Sequence, residues 1–401
     1  MARKKIIQAK RVKVEELLEL VPDSLLDKIA LHMEADKWVP KLKAKSIFQL
    51  IMYSLLEGDR ISLRYMEEIY NSPDFKGLAG LGLSNTAYTS IRDRLINLDA
   101  SYFKAIYEHL YLEIQKHYDE PQLGKYNIKR YDSTMIATFS HLLEGMKVGN
   151  TKKNKTQVKL TTEFTNDFLI RLKFFSDQDH LSEETALKEV IMESTHSKED
   201  LIVFDRGLKS RKVFNQLTEN KTQFVTRLNL NTRYQVVEQH QTCEGVEDEK
   251  LEYIWDNIVY LYGNASTLIK EPLRMIKART KETGEYIFFL TNVLDLSTIQ
   301  IGKVYYERWG IEVLFRFIKQ EMNATHFVCN NINAIQTMLY STLITSMLLL
   351  IYKKLNKISS YKIAKIRFFK ELQATVMLRI IEATDGNYWM KRNLKLYIQK
   401  E

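Results

Sequence analysis

The stretch "DLIVFDRGLKS", residues 200–210, carries four consecutive apolar residues, Leu201 to Phe204, closed by Asp205 and Gly207. A short, wholly apolar run bounded by turn-forming residues reads as a strand buried on both faces, as the central strands of a parallel sheet are. Its polar end falls where ligand sites form in open α/β sheets. The fold class expected is therefore α/β, and the flanking sequence is read outward from this strand.

Upstream, Val158, Leu160, Thr162 and Phe164 alternate with polar neighbours, "TND" turns, and Phe168, Ile170, Leu172 and Phe174 alternate again. That is a hairpin with one buried face. A helix with Ala186, Leu187, Val190 and Ile191 inward leads into the apolar strand. Downstream, "RYQVVEQ", "NIVYLYG", "PLRMIKAR" and "EYIFFLTN" continue as strands to about residue 292. Residues 13–118 are helical by their i, i+3, i+4 apolar spacing. Within them "GLSNTAYTSIRDRLINL" offers Ser84 as an N-cap, with Arg92 and Arg94 on the helix that follows. That unit suits either DNA recognition or a plain bundle. "YDEPQLGKY", residues 118–126, is a linker, and no internal repeat is present.

Composition narrows the partners. The 401 residues suffice for two or three domains, and 45% hydrophobic with 27% charged residues describes an ordinary folded chain. Lys and Arg number 59 against 50 Asp and Glu, a net +9, which favours a polyanionic partner. The excess gathers at residues 3–13, at 147–159, and at 353–370 beside Tyr361, Phe368 and Phe369. Cys243 and Cys329 match no paired motif and are expected as reduced thiols in a cytoplasmic protein. Nothing near His240 and Cys243 completes a zinc set. The start "MARKKIIQAK" lacks the apolar core of a signal peptide. Residues 327–352 carry no charge, but Asn, Gln, Ser and Thr throughout point to a buried core helix and to no membrane.

The stretch "YYERWGIEVLFRFIKQEM", residues 305–322, reads as one helix. Tyr305, Arg308, Glu312 and Lys319 share an arc of roughly 60° at about 100° per residue, with Arg316 beside them. Apolar residues flank this seam on both sides, Trp309, Val313 and Phe317 on one. A solvated face with Arg308–Glu312 and Glu312–Arg316 pairs would account for it. So would a wall of DNA phosphates. Three acids stand out by position: Asp132 in "IKRYDSTMIA", Asp205, and Glu312. Brought together at a sheet edge, they would repel one another unless hard cations intervened. Mg²⁺ or Mn²⁺ suits such oxygen ligands, and two ions can serve both sides of a phosphodiester displacement.

The spacing Tyr305-x2-Arg308-x3-Glu312-x6-Lys319 resembles the YREK signature of DDE transposases from bacterial cut-and-paste insertion sequences. "YDSTM" around Asp132 and "FDRGL" at 204–208 resemble that family's first and second aspartate motifs. The position after Gly207 is Leu208, where the family often has an aromatic. The resemblance covers roughly residues 125–325. It implies an RNase H-like mixed-sheet catalytic core interrupted by a β-rich insertion, with helical regions at both ends. The corresponding spans are a DNA-binding domain at 1–118, the core at 125–229 and 293–355, the insertion at 230–292, and a basic helical region at 356–401.

It further implies a transposase that binds terminal inverted repeats and performs DNA cleavage and strand transfer. Asp132, Asp205 and Glu312 would be catalytic and hold two Mg²⁺ or Mn²⁺ ions per site. Tyr305, Arg308, Lys319 and Arg316 would contact the DNA backbone, with Arg92, Arg94 and Tyr286 as further DNA contacts and Trp255 as a second candidate to stack on a base. The partners implied are double-stranded transposon ends and target DNA, engaged by a homodimer in a synaptic complex. The alternative function is a catalytically silent DNA-binding regulator derived from such an enzyme.

Overall fold

The computed structural model describes residues 11–80, 83–116, 122–137, 146–147, 156–165, 168–263, 267–322 and 327–383. Most of the basic arm at 3–13, the centre of the lysine run at 147–159, two residues of the "TND" turn and the end of 356–401 lie outside them.

The chain opens with helices α1 (Val14–Leu18), α2 (Asp23–His32), α3 (Ala44–Glu57), α4 (Leu63–Asn71), α5 (Pro73–Ala79), α6 (Tyr88–Asn97) and α7 (Ser101–Gln115). Strands β1 (Gln122–Leu123), β2 (Tyr126–Ala137), β3 (Met146–Lys147), β4 (Thr156–Thr165) and β5 (Phe168–Phe175) follow. Next come α8 (Glu183–Glu193), β6 (Asp200–Phe204), α9 (Arg211–Glu219) and β7 (Gln223–Leu228). Four more strands, β8 (Tyr234–Gln241), β9 (Leu251–Leu261), β10 (Leu273–Thr280) and β11 (Tyr286–Thr291), precede α10 (Thr298–Glu307), α11 (Trp309–Gln320), α12 (Ile332–Leu355) and α13 (Tyr361–Ala383). The fold is mixed α/β.

All the strands join one sheet in the order β3-β4-β2-β6-β7-β11-β10-β9-β8, with β5 also on β4 and β1 on β2. The pairs β2–β6 and β6–β7 are parallel, and the other strand pairs are antiparallel. Every residue of β6 is buried, as a strand covered on both faces must be. On one face Phe204 and Phe224 of the sheet stack with Phe214 of α9, in the same core as the inward residues of α8. On the other, Leu201, Val203 and Phe289 pack under α10. Four strands within the β-rich stretch 230–292 extend this same sheet, since β11 pairs directly with β7.

The helices before the sheet and those after it share a single core, in which Leu17, Phe48, Phe103, Leu343 and Phe368 are all buried. Helix α12 is long and apolar enough to cross a membrane by length and composition, but it is buried almost throughout, among α3, α7 and α13. The buried carboxylate of Glu371 on α13 accepts from Val14 N at 3.1 Å and from the Tyr352 hydroxyl at 2.9 Å. Lys365, 6% exposed, donates to the carbonyls of Gly58 (3.2 Å) and Glu321 (2.9 Å), joining α13 to the ends of α3 and α11.

Two expectations change here. Residues 305–322 are not one helix: α10 ends at Glu307 and α11 begins at Trp309. At the junction Arg308 N donates to Tyr305 O and Ile311 N to Arg308 O, both i→i+3 bonds that tighten the turn. Apolar periodicity cannot register a one-residue change in hydrogen-bond span, and Trp309 on the supposed apolar flank is 56% exposed. Ser84 caps nothing, because α6 starts later, with Ala87 at its N-cap.

The entry to α10 is fixed by a buried ion pair. Arg274 on β10 and Asp256 on β9 are both fully buried and bond through two nitrogens, at 2.6 and 2.9 Å. Arg274 also donates to Val293 O and Leu296 O, and Asp256 accepts from the Thr298 hydroxyl at 2.8 Å. Ser297 and Gln300 close a reciprocal capping box on the same turn. A side chain at Gly302 would overlap the Tyr253 hydroxyl, so only glycine lets α10 lie this close to β9. Arg274→Met, which strands the Asp256 charge, is expected to cost about 3–5 kcal/mol in urea unfolding, and adding Asp256→Leu recovers part of it.

Candidate active site

The register of the parallel pair decides the geometry. Asn127 lies beside Asp200 and Tyr131 beside Phe204, so the next rung sets Asp132, midway along β2, beside Asp205, just past the end of β6. Neighbouring strands are about 4.8 Å apart, which brings the two backbones within side-chain reach. Tyr131 and Phe204 point into the α8/α9 face, so by alternation the aspartates point to the side of α10 and α11. There Asp132, Asp205, Arg308, Glu312, Arg316 and Lys319 line one open cleft of about 450 Å³. The three acids singled out by position thus meet at one site.

Each acid is held. Asp132, 7% exposed, accepts from Ser133 N at 2.7 Å and from Arg308 Nη1 at 3.0 Å. The same guanidinium donates through Nη2 to Glu312 Oε1 at 2.5 Å, so Arg308 forks between a strand acid and a helix acid. Asp205 Oδ1 accepts from Arg206 N at 2.6 Å and from the Tyr305 hydroxyl at 3.1 Å. The Tyr305 ring packs on Phe289 at 5.4 Å. Tyr305 and Arg308, expected against DNA phosphates, are both 7% exposed and turned onto carboxylates instead. Of the four cations and hydroxyls on the seam, Arg316 and Lys319 are the two that line the cleft without an acid partner at hydrogen-bonding distance among the described residues. Burial lowers the Lys319 ammonium below its ordinary value.

The remaining sequence candidates sit elsewhere. Arg94 is a correction: it is turned inward, with 9% of its side chain exposed, and bonds Asp36 at 2.8 Å and the carbonyls of Leu42 and Ala35. It ties α6 to the loop after α2, where an outward-facing arginine would have met DNA. Arg92, on the same helix, is exposed and paired with Asp93. Tyr286 is 43% exposed at the start of β11 with Lys277 over its ring at 4.3 Å, away from the cleft. Trp255 packs on Tyr234 and Phe288 in the sheet's own core.

One site residue went unread in the sequence. Glu183, at the start of α8, reaches across the sheet edge to Gly207, two residues beyond Asp205, where a Cβ would come within 2.6 Å of its carboxyl carbon. An acid in the first turn of a helix is so common that it gives no signal. Gly207, in the motif already noted, was the available clue.

The electrostatics follow from this crowding. Burial first, then the charges of Glu183 and Asp205, push the Asp132 carboxyl up to about 7, against the pull of Arg308 and Ser133 N. Glu183 is raised by burial and by Asp205. Burial opposes the charge on Arg308, yet the surrounding anions hold it above its ordinary value. As arranged, no three acid, histidine or cysteine side chains among the described residues stand close enough to grip one ion. The donor set is nonetheless all carboxylate oxygen, which fits a hard divalent cation, and such a cation would offset the burial and like charge that raise the Asp132 carboxyl.

Residues 124–348, more than half of the chain, match the family described as "Transposase DDE domain". The chain belongs to that family. Members of the DDE transposase family generally use divalent metal ions. A provisionally named transposase of Sinorhizobium fredii, y4zB, is 32% identical to this DDE-domain chain over 157 residues, 39% of the chain and 44% of that relative. The match therefore spans less than half of the relative's length. Among solved structures, a piggyBac transposase synaptic complex with hairpin DNA aligns with a TM-score of 0.52 at 11% identity, covering 96% of this chain and 84% of that one. That likeness is one of fold.

The raised Asp132 carboxyl sets a pH dependence for the metal-free DDE domain. An unfolded aspartate loses its proton near about 4, and this one near 7, so between those values the folded state binds more protons than the unfolded state. Stability therefore falls as the pH rises from about 4 to about 7 and levels off above. Denaturant unfolding in EDTA across that range is expected to show a flatter profile for Asp132→Asn, and the protonated-carboxyl infrared band present near pH 6 should be missing from the variant.

Proposed function

We propose that this chain is a transposase that binds the terminal inverted repeats of an insertion sequence and carries out DNA cleavage and strand transfer. The observation that carries the reading is the meeting of Asp132, Asp205 and Glu312 in one cleft where the parallel pairing of β2 with β6 ends. An RNase H-like core is part of this reading. It is supported by the order β5-β4-β2-β6-β7, three antiparallel strands continued by two parallel ones, with α8 leading from β5 into β6 and α9 from β6 into β7.

Asp132, Asp205 and Glu312 are the residues that would hold two Mg²⁺ or Mn²⁺ ions; such ions, when bound, supply Lewis acidity and an activated oxygen nucleophile at a phosphodiester. Tyr305 fixes the rotamer of Asp205 by its hydrogen bond. Arg308 holds Asp132 and Glu312 in register across the strand–helix junction, and on metal loading it is the group that must give way or turn to phosphate. Arg316 and Lys319, free of carboxylate bonds at the cleft among the described residues, are placed to meet the DNA backbone, arginine as a fork and lysine as a point charge. The basic balance of the whole chain, net +9, is consistent with that partner.

In this reading residues 1–118 recognise the ends, and 125–229 with 293–355 form the catalytic core around strands 230–292. The basic helical region 356–401 serves DNA or the dimer interface. The working form is a homodimer bridging two ends, in keeping with the synaptic complex named for the piggyBac neighbour.

The test is Asp205→Asn. It is expected to abolish Mg²⁺-dependent cleavage of a duplex carrying the element's end while band-shift affinity stays within about threefold. Undiminished cutting would remove Asp205 from the chemistry. Cutting by the parent with no joined strand-transfer products would leave a nuclease in place of a transposase.

A further inference from the structure

The cleft described so far has three acids, yet the acid with the least support in the structure is a fourth. Glu183 is half-buried and its carboxylate makes no hydrogen bond or ion pair among the described residues, while Asp132, Asp205 and Glu312 each have at least one hydrogen-bond partner. The ammonium of Lys159, 3% exposed, is drawn to the carbonyl of Leu181 at 2.6 Å. Lys159, Arg308 and Lys209 act on Glu183 only as charges in its surroundings, and the strongest charge it feels is that of Asp205, of the same sign.

An unpaired, partly desolvated carboxylate facing like charge is costly, and a fold keeps such a group where something outside the chain compensates it. The backbone is shaped for it. Its carboxyl group lies against Gly207, where any side chain would displace it: a Cβ there would stand 2.6 Å from Cδ and 2.8 Å from Oε2. Gly207 does not have the left-handed backbone conformation that favours glycine, so this clearance is the constraint the structure shows at the position. The neighbouring Glu184, one residue on in the same helix turn, shares the helix terminus but not this contact.

We propose that Glu183 belongs to the cation-holding set of the cleft, acting from outside the first ligands by accepting a hydrogen bond from a water carried by the ion at the Asp132–Asp205 pair. Mg²⁺ and Mn²⁺ retain several waters when one or two carboxylates bind them, so a carboxylate too far for direct ligation still contributes charge and orientation. The inference rests on the proposed metal-dependent reading of Asp132 and Asp205, and extends the site to the start of α8, beside the Gly207 loop.

The experiment is Mn²⁺ titration of the full-length, metal-free protein by calorimetry, with free Mn²⁺ followed by electron paramagnetic resonance. Glu183→Gln is expected to weaken Mn²⁺ binding about tenfold, in the range found for outer partners of metal ligands, with unchanged or raised melting temperature in EDTA. Gly207→Ala, which moves Glu183 without altering any charge, should weaken binding in the same direction. Glu184→Gln should bind as the parent does. If Asp205→Asn loses Mn²⁺ binding while Glu183→Gln keeps the parent affinity, Glu183 is only a neighbour of Asp205 or a partner of Lys209, and the inference is overturned. If both variants keep it, the cation reading of the cleft falls and this inference with it.

Discussion

Two carboxylates side by side, at the end of a parallel strand pair, are the constraint from which the rest of this structure follows. Parallel pairing of β2 with β6 fixes Asp132 and Asp205 side by side, and neither can withdraw without moving a strand whose every residue is buried. Rigid burial converts mutual repulsion into a standing demand for positive charge. In the protein alone Arg308 meets that demand, and a proton on Asp132 meets what is left.

Holding the third acid in place is a task for the other half of the sheet. Glu312 comes from a helix that reaches the cleft only after the chain has built β8 to β11, and the Arg274–Asp256 pair sets where that helix system starts. The long strand-rich stretch therefore does more than separate the second and third acids. It extends the sheet, carries a fully desolvated ion pair, and uses it to fix the turn from which α10 departs. The break at Arg308 then lets two short helices do what one straight helix would not: Tyr305 reaches Asp205 while Glu312 stays with Arg308.

Much of this was legible in the amino-acid order, for identifiable reasons. The strand ending at Asp205 declared itself because a strand buried on both faces must be continuously apolar, and the hairpin of β4 and β5 because a strand with one buried face must alternate. Glu312 stood out because a polar seam with apolar flanks is unusual. What stayed hidden depends on direction and contact, which composition does not encode. Arg94 looks like any basic residue on a candidate recognition helix until its guanidinium is seen bonded to Asp36 and two carbonyls. Tyr305 and Arg308 line the cleft, and that their side chains turn onto carboxylates there is a matter of contact that their spacing does not show. Glu183 lies in the chain between the first two acids, at the start of α8, and only its packing against Gly207 reveals it.

The buried ammonium of Lys365 has a mechanical meaning. Its two carbonyl acceptors belong to the last residue of the helix bearing Glu312, extended by one, and to the end of α3 in the opening bundle. A partner that tilts the bundle must either drag the third acid with it or strip a desolvated cation of an acceptor. The Lys365 ammonium is thus a polar tie, beside the shared apolar core, between the opening bundle and the helix that carries Glu312.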